Sequence, residues 1–225
     1  MAVLNYSSLA VDRQLDREKR AIWNSLWIGL LAGVATTILG FSIAWMRLRL
    51  DDRYHVIAAT EQVGMMPIAI PGMIIGGSFL WFWLMVPIGV YASPWILLLA
   101  YIVLHLPYAI RICASGLIQL NPELEEAGCA AGAGRARVAW CILLPLIAPS
   151  IAAAAIYVTL RSFREYAASI FLTAPGTEVF SVVVLDMSQG GNSNTLAAYT
   201  VLVMCLLAIF VGIGNLISAR FGVKP

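Results

Sequence analysis

The chain has 225 residues, of which 61% are hydrophobic and 12% charged, with a formal net charge of +2. Soluble domains carry about 25% charged residues, and one of this size could not bury so much apolar surface, so the composition excludes a soluble globular enzyme and indicates a polytopic membrane protein. The basic residues lie in loops between apolar runs, which leaves no basic face for nucleic acid.

A membrane-crossing helix needs about 20 mostly apolar residues. Backbone groups in hydrocarbon must be satisfied inside the spanning element, and the alternating polarity of a barrel strand is missing, so the predicted fold class is all-α. Residues 1–21 are polar and end in the mixed-charge run Asp12, Arg13, Asp16, Arg17, Glu18, Lys19 and Arg20, unlike a short basic start followed by a cleavage site. About five spans follow, over 22–46, 63–86, 94–114, 139–160 and 196–217. The core is thus 22–217, with a tail over 218–225.

Within the second predicted span, Pro67 and Pro71 stand among Gly64, Gly72, Gly76 and Gly77. Helix breakers are tolerated in a membrane where other helices or a cavity satisfy the freed carbonyls. Pro67 and Pro71 are therefore candidates to line a translocation path, and the alternative is a plain kink at a close helix contact. Trp81, Trp83, Tyr91 and Trp95 read as an interfacial aromatic belt.

The loop over 117–138 is polar and broken by glycine, yet lies between apolar spans. Asn121 is a good N-cap, and Pro122 suits a first helical turn. Glu123 and Glu125 fall at the positive end of the helix dipole. A short helix over 122–131 is predicted, ended by Gly132-Ala133-Gly134, with Arg135 and Arg137 anchoring the chain before the fourth span. Leu117, Leu120 and Leu124 are expected to pack on the membrane domain. The small residues Ala127, Gly128, Ala130 and Ala131 leave the backbone accessible, and Glu126 could pair with a basic group in a partner's cleft. These residues alone leave a docking helix and a simple interfacial linker equally open.

At the end of the fourth predicted span stand Arg161, Arg164 and Glu165. Charges at a membrane edge need water or a partner. They read equally as a gate or contact on the path and as snorkelling anchors. Residues 173–178 form a turn signal, 179–185 are apolar but too short to span, and 190–194 read as a flexible link. Cys113, Cys129, Cys141 and Cys205 have no metal-binding spacing and are expected to be small buried hydrophobes. His55 and His105 stand alone, so no metal and no cofactor are expected. GxxxxGK[ST], GxSxG and HExxH are missing from the sequence, so no catalytic residue is assigned and the chain is expected not to be an enzyme.

Glu126-Ala127-Gly128, Gly132 and Ile142-x-Leu144-Pro145 together read E-A-G-x3-G-x9-I-x-L-P. This resembles the EAA loop of permease subunits of type I binding-protein-dependent ABC importers, whose consensus is E-A-A-x3-G-x9-I-x-L-P; Gly128 is the departure. Leu106-Pro107-Tyr108-Ala109-Ile110-Arg111, Arg164-Glu165-Tyr166-Ala167-Ala168-Ser169 and Pro175-Gly176-Thr177-Glu178-Val179 are similar to segments of the ferric-iron permeases. Tyr166 and Ala167 depart from their R-E-L-S-A-S.

The resemblance implies that Glu126, Ala127, Gly128, Gly132, Ile142, Leu144 and Pro145 couple the chain to a separate ATP-binding subunit. It implies a second permease core and a periplasmic substrate-binding protein as further partners. The loop over 117–138 is then cytoplasmic, residues 1–21 periplasmic and 218–225 cytoplasmic, in a bacterial inner membrane. Arg47, Arg49, Arg53, Arg111, Arg135, Arg137, Arg220 and Lys224 on the inner side against Arg13, Arg17, Lys19, Arg20, Arg161 and Arg164 on the outer give the same orientation a weak vote. Ferric iron is the implied substrate, with putrescine, thiamine and phosphonate as alternatives within the class. A chain of this kind is expected to be one half of a fused permease or a five-helix permease in its own right. The competing class is a non-transport membrane scaffold or an intramembrane protease, for which Ser78 and His105 lack any supporting context.

Overall fold

A computed structural model describes residues 2–50, 55–86, 89–191 and 193–220, and among these every regular element is helical. The helices are α1 (Ala2–Arg49), α2 (Val56–Met65), α3 (Gly72–Met85), α4 (Pro94–Ile118), α5 (Glu123–Ala130), α6 (Arg135–Val138), α7 (Leu144–Leu146), α8 (Ala148–Phe163), α9 (Ser169–Leu172), α10 (Phe180–Gln189) and α11 (Ser193–Arg220). A 3-10 turn, Met66–Ala69, follows α2, and a π-helical turn, Ala139–Leu143, joins α6 to α7.

Three of the described helices are long and apolar enough to cross a membrane: Arg13–Arg49, Pro94–Ile118 and Ser193–Gly212. Two broken pairs bring the number to five if each counts as one span: Val56–Ala69 with Gly72–Met85, and Ala139–Leu146 with Ala148–Phe163. The five apolar segments are therefore where composition puts them, but the second and fourth are interrupted. The reasons are local. Pro71 lacks an amide hydrogen and sits in extended backbone (φ −56°, ψ 136°), so α2 cannot continue through it. Pro145 cannot donate to the carbonyl four residues back, and the ladder widens just before it: the Leu144 amide donates to the Ala139 carbonyl, five residues back. Pro107, by contrast, is carried inside α4.

The expected boundary at residue 21 falls inside α1, which runs unbroken from Ala2, and Ala21 is fully buried. Of the four cysteines only Cys113 is buried; Cys129, Cys141 and Cys205 are exposed. The link expected over 190–194 is a turn at Gly190 and Gly191, with Asn192 outside the described residues and α11 starting at Ser193. Arg53, Lys224 and most of the tail also lie outside them.

The chain divides into two compact units, residues 1–32, 70–101 and 159–208 forming the first and 33–69, 102–158 and 209–225 the second. In the first, Ala21, Val183, Met187 and Tyr199 form a buried cluster. Phe180 lies between Phe163 and Tyr199, at ring separations of 5.1 and 5.3 Å. The Pro175–Val179 loop is tied to α1: the Asn24 side-chain amide donates to the Gly176 and Glu178 carbonyls (3.2 and 3.0 Å). The Phe180 amide donates to Ser25 Oγ at 2.7 Å, so a residue far away in sequence caps α10. Arg17 completes the attachment through ion pairs with Asp186 and Glu178.

In the second unit, Ala44, Cys113, Leu117, Ala139, Leu143, Ile147 and Ala154 form the buried cluster. Burying a Leu or Ile from water stabilises by about 1.5–3 kcal/mol, but lipid is as apolar as the side chain and removes that drive. Close approach of helix backbones has to replace it. At Gly40 on α1, an added Cβ would lie 2.7 Å from the Ala109 Cβ and 2.8 Å from its carbonyl carbon on α4.

Replacing Gly40 with Leu is expected to lower the thermal unfolding midpoint in detergent, at a cost of roughly 1–3 kcal/mol from overpacking. Gly77→Ala, where nothing lies within 4 Å of the new Cβ, should leave the midpoint unchanged or higher. Equal midpoints for the two variants would show that the α1–α4 approach is not tight.

Candidate coupling site

The motif-bearing helix α5 is built from its own ends. The Glu123 amide donates to Asn121 Oδ1 at 3.1 Å, and the Asn121 side-chain amide returns a bond to Glu123 Oε2 at 3.1 Å. Asn121 thus caps the first turn from just ahead of Pro122, which occupies the cap position by its backbone. At the other end the Gly132 amide reaches the Cys129 carbonyl (2.9 Å) and the Ala133 amide the Gly128 carbonyl (3.2 Å). This paired closure is a Schellman motif, and it needs the left-handed residue that Gly132 supplies at φ 90°.

Adjacent carboxylates on α5 have opposite surroundings. Glu126 is exposed. Glu125 is turned inward, its side chain 18% exposed, with Oε1 2.6 Å from the Nε of Arg49, which is itself 13% exposed. The contact is ionic without an aligned hydrogen bond. Arg49 Nη2 meanwhile donates to the carbonyls of Leu117 (3.1 Å) and Leu120 (3.0 Å), where α4 ends. A cavity of about 370 Å³ lies beside this contact, lined among others by Trp45, Arg49, Glu125, Glu126, Cys129 and Val138.

Gly128, the departure from the family consensus, faces the protein. A Cβ there would meet Val138 Cγ2 at 2.9 Å and Ile142 Cδ1 at 3.0 Å. This contact brings the two halves of the motif together. Ile142 and Leu144 are half-buried around the π turn, Leu143 is fully buried, and Pro145 is exposed. Ala127 and Gly132 are exposed like Glu126. The leucine expectation holds for Leu117, which is buried, and Leu120, which packs on the core. It fails for Leu124, 43% exposed, because the inward face of α5 is taken by Glu125 and Gly128.

The path candidates belong to different units. Pro67 is half-buried in the 3-10 turn of the second unit. Pro71, Arg161, Arg164 and Glu165 belong to the first unit, where Pro71, Arg161 and Arg164 are exposed. Glu165 is half-buried and engaged: its Oε1 accepts from the Ala168 amide (3.2 Å), and its carbonyl accepts from Ser169 Oγ (2.6 Å) and Ser181 Oγ (2.8 Å). Ser169 also shares a 2.8 Å hydrogen bond with Tyr101. An added Cβ on Gly76 would lie 2.6 Å from the Ala168 Cα, so α3 packs directly on this polar turn. The roles of Arg49, Asn24, Ser25 and Tyr101 are not read from sequence, because each acts on backbone or side chains far away along the chain.

The described residues thus form an all-helical core of membrane-type apolar helices with a capped short helix that carries the motif and exposes Glu126 and Ala127. Residues 37–223 match the family described as "Binding-protein-dependent transport system inner membrane component", and the chain belongs to that family. It is 24% identical over 208 residues to the ferric transport system permease protein FbpB of Actinobacillus pleuropneumoniae, covering 92% of this chain and 30% of that protein. It is 24% identical over 204 residues to the Fe(3+)-transport system permease protein FbpB 2 of Haemophilus influenzae, covering 91% and 39%. The chain thus spans about a third of the length of these relatives. Its fold is like that of a solved chain of the MetNI methionine ABC transporter, with TM-score 0.71, 18% identity, and 90% and 94% coverage.

Gly132→Val is expected to strain the loop by roughly 1–3 kcal/mol, since a β-branched residue resists positive φ. Hydrogen exchange should speed up at the amides of residues 132 and 133 while those of α4 stay protected. Unchanged protection at both would show that the left-handed turn is not required.

Proposed function

We propose that this chain is the membrane-spanning permease subunit of an ABC importer, and that α5 is its docking helix for a separate ATP-binding subunit. The observation that carries the reading is the form of α5: closed at both ends by its own residues, tied inward through Glu125 and Gly128, and exposing Glu126 and Ala127. A helix so built is held by its own chain and leaves one edge for a partner. Family membership supports the same reading.

In this account two permease cores face each other, each docked on an ATPase. Closure of the ATPases on ATP displaces α5, the Gly128–Ile142 contact passes the motion to the π turn, and α8 moves with it. Hydrolysis resets the path. The chain supplies no ATP-binding motif and acts as the moved part. It lies in a bacterial inner membrane with the 117–138 loop cytoplasmic and residues 1–21 periplasmic, and Pro67, Pro71, Arg161, Arg164 and Glu165 border the path. The proposed cargo is ferric iron handed over by a periplasmic binding protein, supported by the Leu106–Arg111, Arg164–Ser169 and Pro175–Val179 resemblances and by the names of the two FbpB relatives. Metal analysis and mass spectrometry of ligands on the periplasmic binding protein that serves the permease test the cargo: bound iron supports it, and a bound phosphonate or polyamine overturns it.

Glu126→Lys tests the docking role. Reversing a charge that becomes buried in a partner's cleft should cost on the order of 3–5 kcal/mol. The ATP-binding subunit should no longer co-purify, while the permease remains in the membrane fraction; normal substrate uptake would sink the reading.

Cys129 tests the topology, with the exposed Cys141 and Cys205 replaced by serine. A membrane-impermeant maleimide should label it in inside-out vesicles and not in spheroplasts. Labelling from the periplasmic side would reverse the orientation.

A further inference from the structure

The helix that carries the motif is held by a residue that no motif contains. The last four carbonyls of a helix have no partner within it, and they form its negative end. Where α4 ends, Arg49 Nη2 donates to the Leu120 carbonyl, two residues past the helix, and to the Leu117 carbonyl, which also accepts from the Leu120 amide at 3.2 Å, so one nitrogen with two hydrogens serves both. The Nε edge of the same planar group faces Glu125 Oε1 at 2.6 Å. One guanidinium therefore joins the last residue of α1, the C-terminal end of α4 and the inner side of α5. Surface ion pairs contribute little because water screens them, but here both side chains are more than four-fifths buried. A lysine at this place could keep the charge contact yet has no planar fork to span both carbonyls and the carboxylate. The other basic residue of this helix end, Arg47, is used differently: it pairs with Glu61 at 2.9 Å on α2, with the side chains 46% and 36% exposed.

We infer that Arg49 is a positioning residue for coupling: it fixes the ends of α1 and α4 to α5 so that a displacement imposed on Glu126 is passed through the neighbouring Glu125 to both spans. The inference rests on the proposed docking role of α5 and adds the element that carries the motion away from it. Without Arg49, α5 keeps its own caps and remains a helix, but its tilt against the spans is no longer fixed. Docking then survives while transmission fails.

The test uses the full-length permease with its ATP-binding subunit and binding protein in lipid nanodiscs, comparing Arg49→Met, Arg49→Lys, Glu125→Gln and the Met/Gln double variant. Binding-protein-stimulated ATP hydrolysis should fall about tenfold in Arg49→Met at unchanged KM for ATP and unchanged co-purification. Arg49→Lys should recover part of it, and the double variant should be no worse than Arg49→Met. A spin label on Cys129, in a permease lacking Cys141 and Cys205, should become more mobile in Arg49→Met and Glu125→Gln. Wild-type stimulation in Arg49→Met, or an immobile label, overturns the inference. A parallel loss of co-purification or of membrane abundance reduces Arg49 to a folding role and also overturns it. Glu126→Lys is the separate arm: if it leaves the ATP-binding subunit attached, the docking reading fails whatever Arg49 does.

Discussion

The structure depends on one constraint, that a helix interrupted in or beside hydrocarbon must have its free backbone groups closed by other parts of the chain. Each group left unpaired there costs several kcal/mol, more than any surface ion pair could offset. This chain breaks its helices repeatedly, and specific side chains close the ends. Arg49 takes the Leu120 carbonyl and adds a second bond to that of Leu117, which the Leu120 amide already meets. Asn24 takes those of Gly176 and Glu178, and Ser25 the Phe180 amide. Glu165 takes the Ala168 amide. Several of these side chains come from α1, whose 48 residues pass through both units. That helix supplies fixed points to segments more than a hundred residues away, as the Asn24 and Ser25 bonds illustrate.

The same constraint separates duties on α5. Closure of its ends by Asn121 and by the Gly132 turn leaves its sides free for other work. The inner side is taken by Glu125 against Arg49 and by Gly128 against Val138 and Ile142. Glu126 and Ala127 remain outside. Gly128 is therefore a packing residue in this chain: the missing methyl lets α5 approach the π turn, and the turn exists because Pro145 cannot complete an ordinary helical ladder. The spacing between the E-A-G and I-x-L-P halves of the motif corresponds to a physical contact between two small helical pieces.

What the sequence revealed was local, and what it hid was distant. Apolar runs located the five segments, and Asn121, Pro122 and Gly132 marked the ends of α5 to within about a residue, because caps and left-handed turns depend on neighbours a few positions away. Pro71 announced a break in the second segment for the same reason. The π turn before Pro145 is not specified by the apolar pattern, although a proline within an apolar helix is a visible signal of a break. The motif marks Glu126, but nothing local shows that its neighbour Glu125 turns inward; the placement of Arg49, 76 positions earlier, decides that. Arg47 and Arg49 were legible as charges that orient a membrane protein, not as partners of Glu61 and Glu125. Likewise Arg164 and Glu165 read equally as a gate and as interface anchors, and nothing local shows that the Glu165 carboxylate caps the turn on which Gly76 packs.

The central claim is that the exposed edge of α5 is the surface gripped by an ATP-binding subunit. A photo-reactive amino acid placed at Ala127 and irradiated in native membranes tests it most directly. The account predicts a cross-link to the ATP-binding subunit that is lost when Glu126 is replaced by lysine. Cross-links confined to lipid, to the permease itself or to the periplasmic binding protein would contradict it.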